Sequence, residues 1–107
     1  MRTQYILATL FLLIHLSESG AQQEVFQFEH ITVEEGLSQR TVRGIEQDRF
    51  GFMWFATHDG LNKYDGIQFI HFTPESHPAM QSSTIYNLLS EENGDIWICT
   101  GKGVCLY

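Results

Sequence analysis

The chain has 107 residues, and thirteen Asp+Glu against six Lys+Arg leave it with a formal net charge of −7. Acidity on that scale, uninterrupted by a basic cluster, repels phosphate backbones and anionic lipid, and it disfavours nucleic acid as a partner of this segment. The five histidines lack metal-ligand spacing, and Asp59 and Asp65 lack the spacing of a calcium loop, so neither a metal nor any other cofactor is expected.

In chain order, the first predicted element is an export signal over residues 1–21. Arg2 supplies a positive start, Tyr5 to Leu16 an apolar run, and Ser19-Gly20-Ala21 a small-residue cleavage pattern, so the chain should be exported and its mature part begin near Gln22. The apolar run is shorter than the roughly twenty residues a membrane span requires, which sets cleavage against the competing reading of a retained anchor. Cleavage would remove Arg2 and Glu18 together and leave the charge unchanged.

Glu24 to Thr32 alternates apolar and polar residues, which predicts a half-buried strand carrying Phe26 and Phe28 on one side. Glu34 to Ser38 reads as a connecting loop. Thr41 to Asp48 suits either a helical turn or a bulged strand from its own spacing. Phe52 to Thr57 and Leu61 to Tyr64 flank the turn residues His58-Asp59-Gly60 and form a predicted hairpin. Asp65-Gly66 turns the chain again into Ile67 to Thr73. Pro74 to Ser83 is a loop, its two prolines having no amide hydrogen to give a sheet.

The organisation comes from internal repetition. Thr41–Tyr64 and Thr84–Tyr107 align without a gap at a period of 84 − 41 = 43 residues, with identities at Thr41/Thr84, Gly51/Gly94, Trp54/Trp97, Thr57/Thr100, Gly60/Gly103 and Tyr64/Tyr107. A partial third copy relates Phe26–Thr32 to Ile67–Thr73 at an offset of 68 − 27 = 41. A period of about 40 to 45 residues built of short strands is the length of a β-propeller blade, and it decides for strand at Thr41 to Asp48. The expected fold is all-β, an incomplete propeller of four-stranded antiparallel blades. Residues 22–37 would hold an N-terminal strand that closes a larger ring, 38–80 a first blade, and 81–107 a second blade that ends after three strands.

Leu37 to Thr73 resembles the two-component regulator propeller repeat, with matches at Gly36, Leu37, Ser38, Val42, Ile45, Asp48, Gly51, Trp54, Thr57, Gly60, Leu61, Tyr64, Asp65, Gly66, Phe69 and Phe72. Ala56 and Cys99 stand where that repeat often has glycine, and Asn93-Gly94-Asp95 replaces Phe50-Gly51-Phe52. The resemblance implies the periplasmic sensor region of a hybrid histidine kinase, membrane-anchored and dimeric as a whole, that detects oligosaccharides and signals to transcription. Its other blades would be the partners of this segment. The kinase segments are absent from this chain, so no catalytic residue is carried over and the segment itself is expected to be non-catalytic. The alternative is part of an exported propeller enzyme acting on polysaccharide, a glycoside hydrolase or lyase, which would need two positioned carboxylates.

Trp54 and Trp97 could stack on a sugar ring, but a residue demanded once per repeat fits packing between sheets better. By the same argument Gly51, Gly60, Gly94 and Gly103 fit turns rather than a phosphate cradle, and Thr57, Thr100, Tyr64 and Tyr107 complete the recurrent set. Asp48 and Glu91 fit acceptors of turn amides, the spacing from Asp48 to Gly51 being one residue longer than in the Asp-box of sialidase-type propellers. His30, His58, His71 and His77 fit structural or surface roles. Cys99 would face Cys105 across a three-residue Gly101–Gly103 loop, which an oxidising compartment would allow to become a disulfide. Ligand contacts are expected in the variable loops Glu34 to Arg40 and Pro74 to Ser83.

Overall fold

Short segments rich in β-branched and aromatic residues, broken every few positions by Gly, Asp and Asn, favour a meander of hairpins. The computed structural model describes residues 2–6, 20 and 22–107. The export-signal reading of residues 1–21 lies for the most part outside them. Among the described residues no helix is long and apolar enough to cross a membrane.

Strands β1 (Val42–Gln47), β2 (Met53–Thr57), β3 (Gly60–Tyr64) and β4 (Phe69–Phe72) form one antiparallel sheet in sequence order. A second antiparallel sheet holds β5 (Ile85–Ser90), β6 (Ile96–Thr100) and β7 (Gly103–Leu106). Both sheets carry the same irregularity at the same place, a register shift between Val42 and Gly44 and another between Ile85 and Asn87. The bulge explains why the spacing of Val42 and Ile45 mimics a helical turn: one extra residue resets the alternation between them.

The two sheets stack face to face, β5 lying against β1 and β2. Since side chains alternate along a strand, the register places Gly44, Glu46, Trp54, Ala56, Leu61 and Lys63 on the inner face of the first sheet. Leu88, Ser90, Ile96, Ile98 and Cys105 form the opposing face of the second. Trp54, Ala56, Leu61, Phe72, Met80, Ile85, Leu88, Ile96 and Ile98 make one buried cluster between them. The backbones approach closely beside Gly44, where an added Cβ would lie 3.4 Å from the Asn87 Cα and 3.3 Å from its Oδ1. Farther along the sheet the gap is filled by rings, Trp54 and Tyr107 meeting at 4.9 Å between centroids.

Adding 43 to each residue of the first sheet's inner face gives Asn87, Leu89, Trp97, Cys99, Val104 and Leu106, which form the outer face of the second sheet. The same shift carries the first sheet's outer face, with Ile45, Phe55, Asn62 and Tyr64, onto the second sheet's inner face. The second sheet is therefore set on the first by the operation that would set a third on the second. Its outer face is uncovered, with Leu89 57 % and Val104 64 % exposed.

Two expectations require correction. Residues 22–31 form no strand, and Phe26 and Phe28 are 77 % and 92 % exposed. Alternation specifies which side a residue would face but supplies no hydrogen-bond partner, and no strand edge of this chain lies beside it. Pro74 to Ser83 is more than a plain loop: a 3₁₀ turn at Pro78–Met80 delivers Met80 to the core at 6 % exposure. Met80 is the counterpart of Leu37, 80 − 37 = 43 residues earlier, which is 5 % exposed against the other face of the first sheet.

Candidate functional site

The recurrent residues build turns and sheet packing. Asp48 begins the β1–β2 turn, where its Oδ1 accepts the Phe50 and Phe52 amides at 2.9 and 3.0 Å and its Oδ2 accepts the Trp54 indole N–H at 2.8 Å. One carboxylate, 8 % exposed, thus ties the turn to the largest buried side chain. Glu91, its counterpart, retains the backbone pattern, since Gly94 N–H donates to Glu91 O as Gly51 N–H does to Asp48 O. The second turn relies instead on Asn93, whose Oδ1 accepts the Asp95 amide at 2.9 Å.

Each β-hairpin after the tryptophan is held by its threonine. Thr57 Oγ1 donates to Gly60 O at 2.8 Å and accepts the Asp59 amide, and Thr100 Oγ1 does the same with Gly103 O and the Lys102 amide. Gly60 takes φ +97°, and a Cβ there would lie 2.7 Å from Phe72 O, so a side chain is excluded both by backbone conformation and by the neighbouring strand. At the β3–β4 turn, Asp65 accepts the Ile67 and Gln68 amides at 2.8 Å each, which holds its carboxyl below the usual range.

Trp54 is wholly buried, whereas Trp97 is 39 % exposed on the uncovered outer face, so the two copies of one position have different surroundings here. Tyr64 stacks on Phe69 at 4.5 Å, and Tyr107 lies over Trp54. The histidines fall into separate settings. His71 Nε2 meets Gly36 O, His77 packs on Phe72, and His58, whose buried Nε2 has no partner, lies edge-on to Tyr86. Among the described residues no group of three His, Cys, Asp or Glu could hold a metal ion.

The proposed disulfide is not formed, and both cysteines are free. Thr100 pairs with Gly103 rather than with Val104, so the loop is Gly101-Lys102 and the expected register is shifted by one. Cys99 then faces Val104 and Cys105 faces Ile98, which places the two thiols on opposite sides of the sheet, beyond disulfide geometry. Burial pushes the Cys105 thiol up, lowering its thiolate fraction. An alkylating reagent should modify Cys99 quickly and Cys105 slowly under native, oxidising conditions, as read by mass spectrometry. A bonded pair would leave both unmodified until reduction.

The meander sends alternate turns to opposite ends of the sheets. Segment 33–41, the His58-Asp59 turn, segment 73–84 and the Gly101-Lys102 turn share one end, so both loops expected to contact ligand lie there. They are tied to the scaffold by backbone and side-chain bonds: Gly60 N–H donates to Ser83 O at 2.6 Å, and Ser38 N–H donates to Asn62 Oδ1 at 3.0 Å. Arg40, Asp59, Glu75 and Lys102 are exposed around them. Between the sheets, an apolar cleft of about 100 Å³ is lined by Leu61, Phe72, Met80, Ile98, Cys105 and Tyr107 among others. It opens beside β7, which has a partner on one edge only.

Comparison with known proteins agrees with this architecture. A family model described as the two component regulator propeller matches residues 36–59, from the buried Leu37 segment through the β2–β3 turn. A histidine kinase, P4, from Formosa agariphila is 51 % identical over 49 residues, 46 % of this chain and 4 % of that protein. The crystal structure of the extracellular domain of a hybrid two-component system from B. thetaiotaomicron superposes with a TM-score of 0.66 at 34 % identity, over 74 % of this chain and 12 % of that one. The chain spans a small part of the length of each of these relatives.

Proposed function

Because residues 36–59 match the two component regulator propeller model and the chain resembles part of the extracellular domain of a hybrid two-component system, we propose that it is a non-catalytic, ligand-sensing segment of such a receptor, exported to the periplasm. The ligand is an oligosaccharide, met by the loop end that carries segments 33–41 and 73–84, and its binding biases a signal that ends in transcription. The remaining repeats of the receptor cover the exposed faces of the two sheets. The observation that carries the reading is the use of the buried polar groups: among the described residues Asp48, Thr57, Asn62 and Thr100 are the buried polar ones, and each is engaged in a turn or sheet bond. A propeller that commits its buried acid to scaffolding leaves recognition to its loops, whereas hydrolysis would call on two positioned carboxylates.

Titrating the chain with a panel of plant and microbial oligosaccharides, followed by two-dimensional NMR and product analysis, tests this. Perturbed amides confined to 33–41, 58–59, 73–84 and 101–102, with the sugar recovered intact, are expected. Cleaved sugar, or perturbation only at the 48–52 and 91–95 end, contradicts the proposal.

A further inference from the structure

Strands β1 and β5 each keep one edge free, and further repeats would leave both so. In the first sheet the fourth strand adds to β3, on the far side from β1, and a fourth strand in the second sheet would add to β7, on the far side from β5. The free edges lie beside Gly44 and Asn87, where the backbones approach closely, while the Trp54 and Tyr107 rings separate the sheets toward β3 and β7. Repeated sheets that converge at one border turn that border toward a common axis, as the blades of a ring do.

The irregularity of each ladder sits on these edges. Val42 pairs with Thr57 and Gly44 with Ala56, which leaves Arg43 without a cross-strand partner. Ile85 pairs with Thr100 and Asn87 with Cys99, which leaves Tyr86 in the same position, 43 + 43 = 86. A bulge residue is released from the alternation that commits its neighbours to a sheet face, and its side chain is re-aimed. The flanks keep their character as Val42/Ile85 and Ile45/Leu88, but the bulge itself carries Arg in one copy and Tyr in the other, both exposed. The fold repeats the bulge and leaves the choice of side chain to something else.

Tyr86 lies in the seam between the two sheets at the end that carries segments 33–41 and 73–84. Its ring stands edge-on to His58 at 6.4 Å between centroids, and its Cε2 lies 3.8 Å from the place of a Cβ on Gly101. Since 58 + 43 = 101, Arg43 holds toward the His58 turn the chain position that Tyr86 holds toward the Gly101 turn. The buried Nε2 of His58 has no partner, and an orphaned polar atom beside a half-exposed ring marks a seam that lacks one polar group.

We infer that Arg43 and Tyr86, with His58 beside them, form a subsite on the axial side of the sheets for an oligosaccharide that carries uronic acid carboxylates. The inference rests on the sensing role proposed above and gives its ligand a chemical class. The Arg43 guanidinium donates a bidentate pair to the carboxylate, and the Tyr86 ring stacks on the apolar face of a sugar ring. As Tyr86 turns onto the sugar, a sugar hydroxyl supplies His58 Nε2 with the partner it lacks. The net charge of −7 opposes an anion at long range, so the attraction is local, from Arg43 and the exposed Lys102 of the adjoining turn, against Asp59.

The test titrates the full chain with tetrasaccharides of galacturonate, glucuronate and mannuronate, each beside its carboxyl-reduced neutral form, by calorimetry and by NMR of the Arg43 guanidinium, Tyr86 ring and His58 imidazole. One acidic tetrasaccharide should bind about tenfold or more tighter than its reduced form and shift all three side chains. Arg43→Gln should abolish that preference and leave the circular dichroism unchanged, because Arg43 is exposed. Tyr86→Leu should weaken acidic and neutral forms alike, by about tenfold, and Arg40→Gln should change neither. Equal affinity for the acidic and reduced forms, an unchanged preference in Arg43→Gln, or binding that shifts segments 33–41 and 73–84 but none of the three side chains overturns the subsite and leaves the sensing role standing. Binding of no sugar, acidic or neutral, overturns both.

Discussion

Replacing Trp54 with Ala should abolish the cooperative fold of the two sheets, while the same change at Trp97 should leave it nearly intact. Trp54 has no exposed surface, contacts Phe72 and Tyr107 with ring centroids at 5.5 and 4.9 Å, and carries the Lys63 ammonium 5.2 Å from its ring. Truncating a buried tryptophan costs about 3–5 kcal/mol. The two sheets make a small domain whose stability is of that order. Near-ultraviolet circular dichroism and urea denaturation would therefore show Trp54→Ala without a folded baseline. Trp97→Ala removes a ring from an uncovered face and should move the midpoint by a small fraction of that. Equal losses at both positions would mean that Trp97 is buried in solution, by a partner sheet that the single chain does not provide.

The second large effect is at Asp48, and two substitutions separate its roles. Asp48→Asn can retain the amide bonds to Phe50 and Phe52, which both fall on Oδ1, but sets an amide N–H₂ against the Trp54 indole N–H. A buried donor left without an acceptor costs about 1–3 kcal/mol. Asp48→Ala removes all three bonds and should cost more, opening the β1–β2 turn as well. In a Trp97→Phe background Trp54 is the sole tryptophan, so its fluorescence reports the indole bond directly. A red shift in Asp48→Asn with the denaturation slope unchanged is the expected result. Identical stabilities for wild type and Asp48→Asn would remove the carboxylate–indole bond from the account.

The order of strands was legible because the chain states it twice. Six of the strands follow from the 43-residue alignment with ends no more than one residue from those found, since Gly51, Gly60, Gly94 and Gly103 punctuate both copies at the same spacing. What escaped were relations across the chain. Asp48 reaches forward six residues to Trp54, a pairing that neither alternation nor turn chemistry reveals. Met80 sits among prolines and serines, and only its equivalence to Leu37 marks it as buried. The cysteine register failed because a Gly-Lys-Gly run can be closed as a two- or a three-residue loop, and a slip of one residue sends every following side chain to the other face. Segment 26–32 has the pattern of a strand, but pairing is a property of two segments, and one of them cannot announce it.

The uneven gap between the sheets has a geometric result. At Gly44 the backbones come within reach of each other, while Trp54, Tyr107 and the Lys63 side chain prop the sheets apart toward β3 and β7. A layer thin along one border and thick along the other turns each successive layer through an angle, so a row of such layers bends into an arc whose radius is set by the difference between a hydrogen atom and an indole. Bulk introduced at the thin border would straighten that arc and change how many repeats complete a circle.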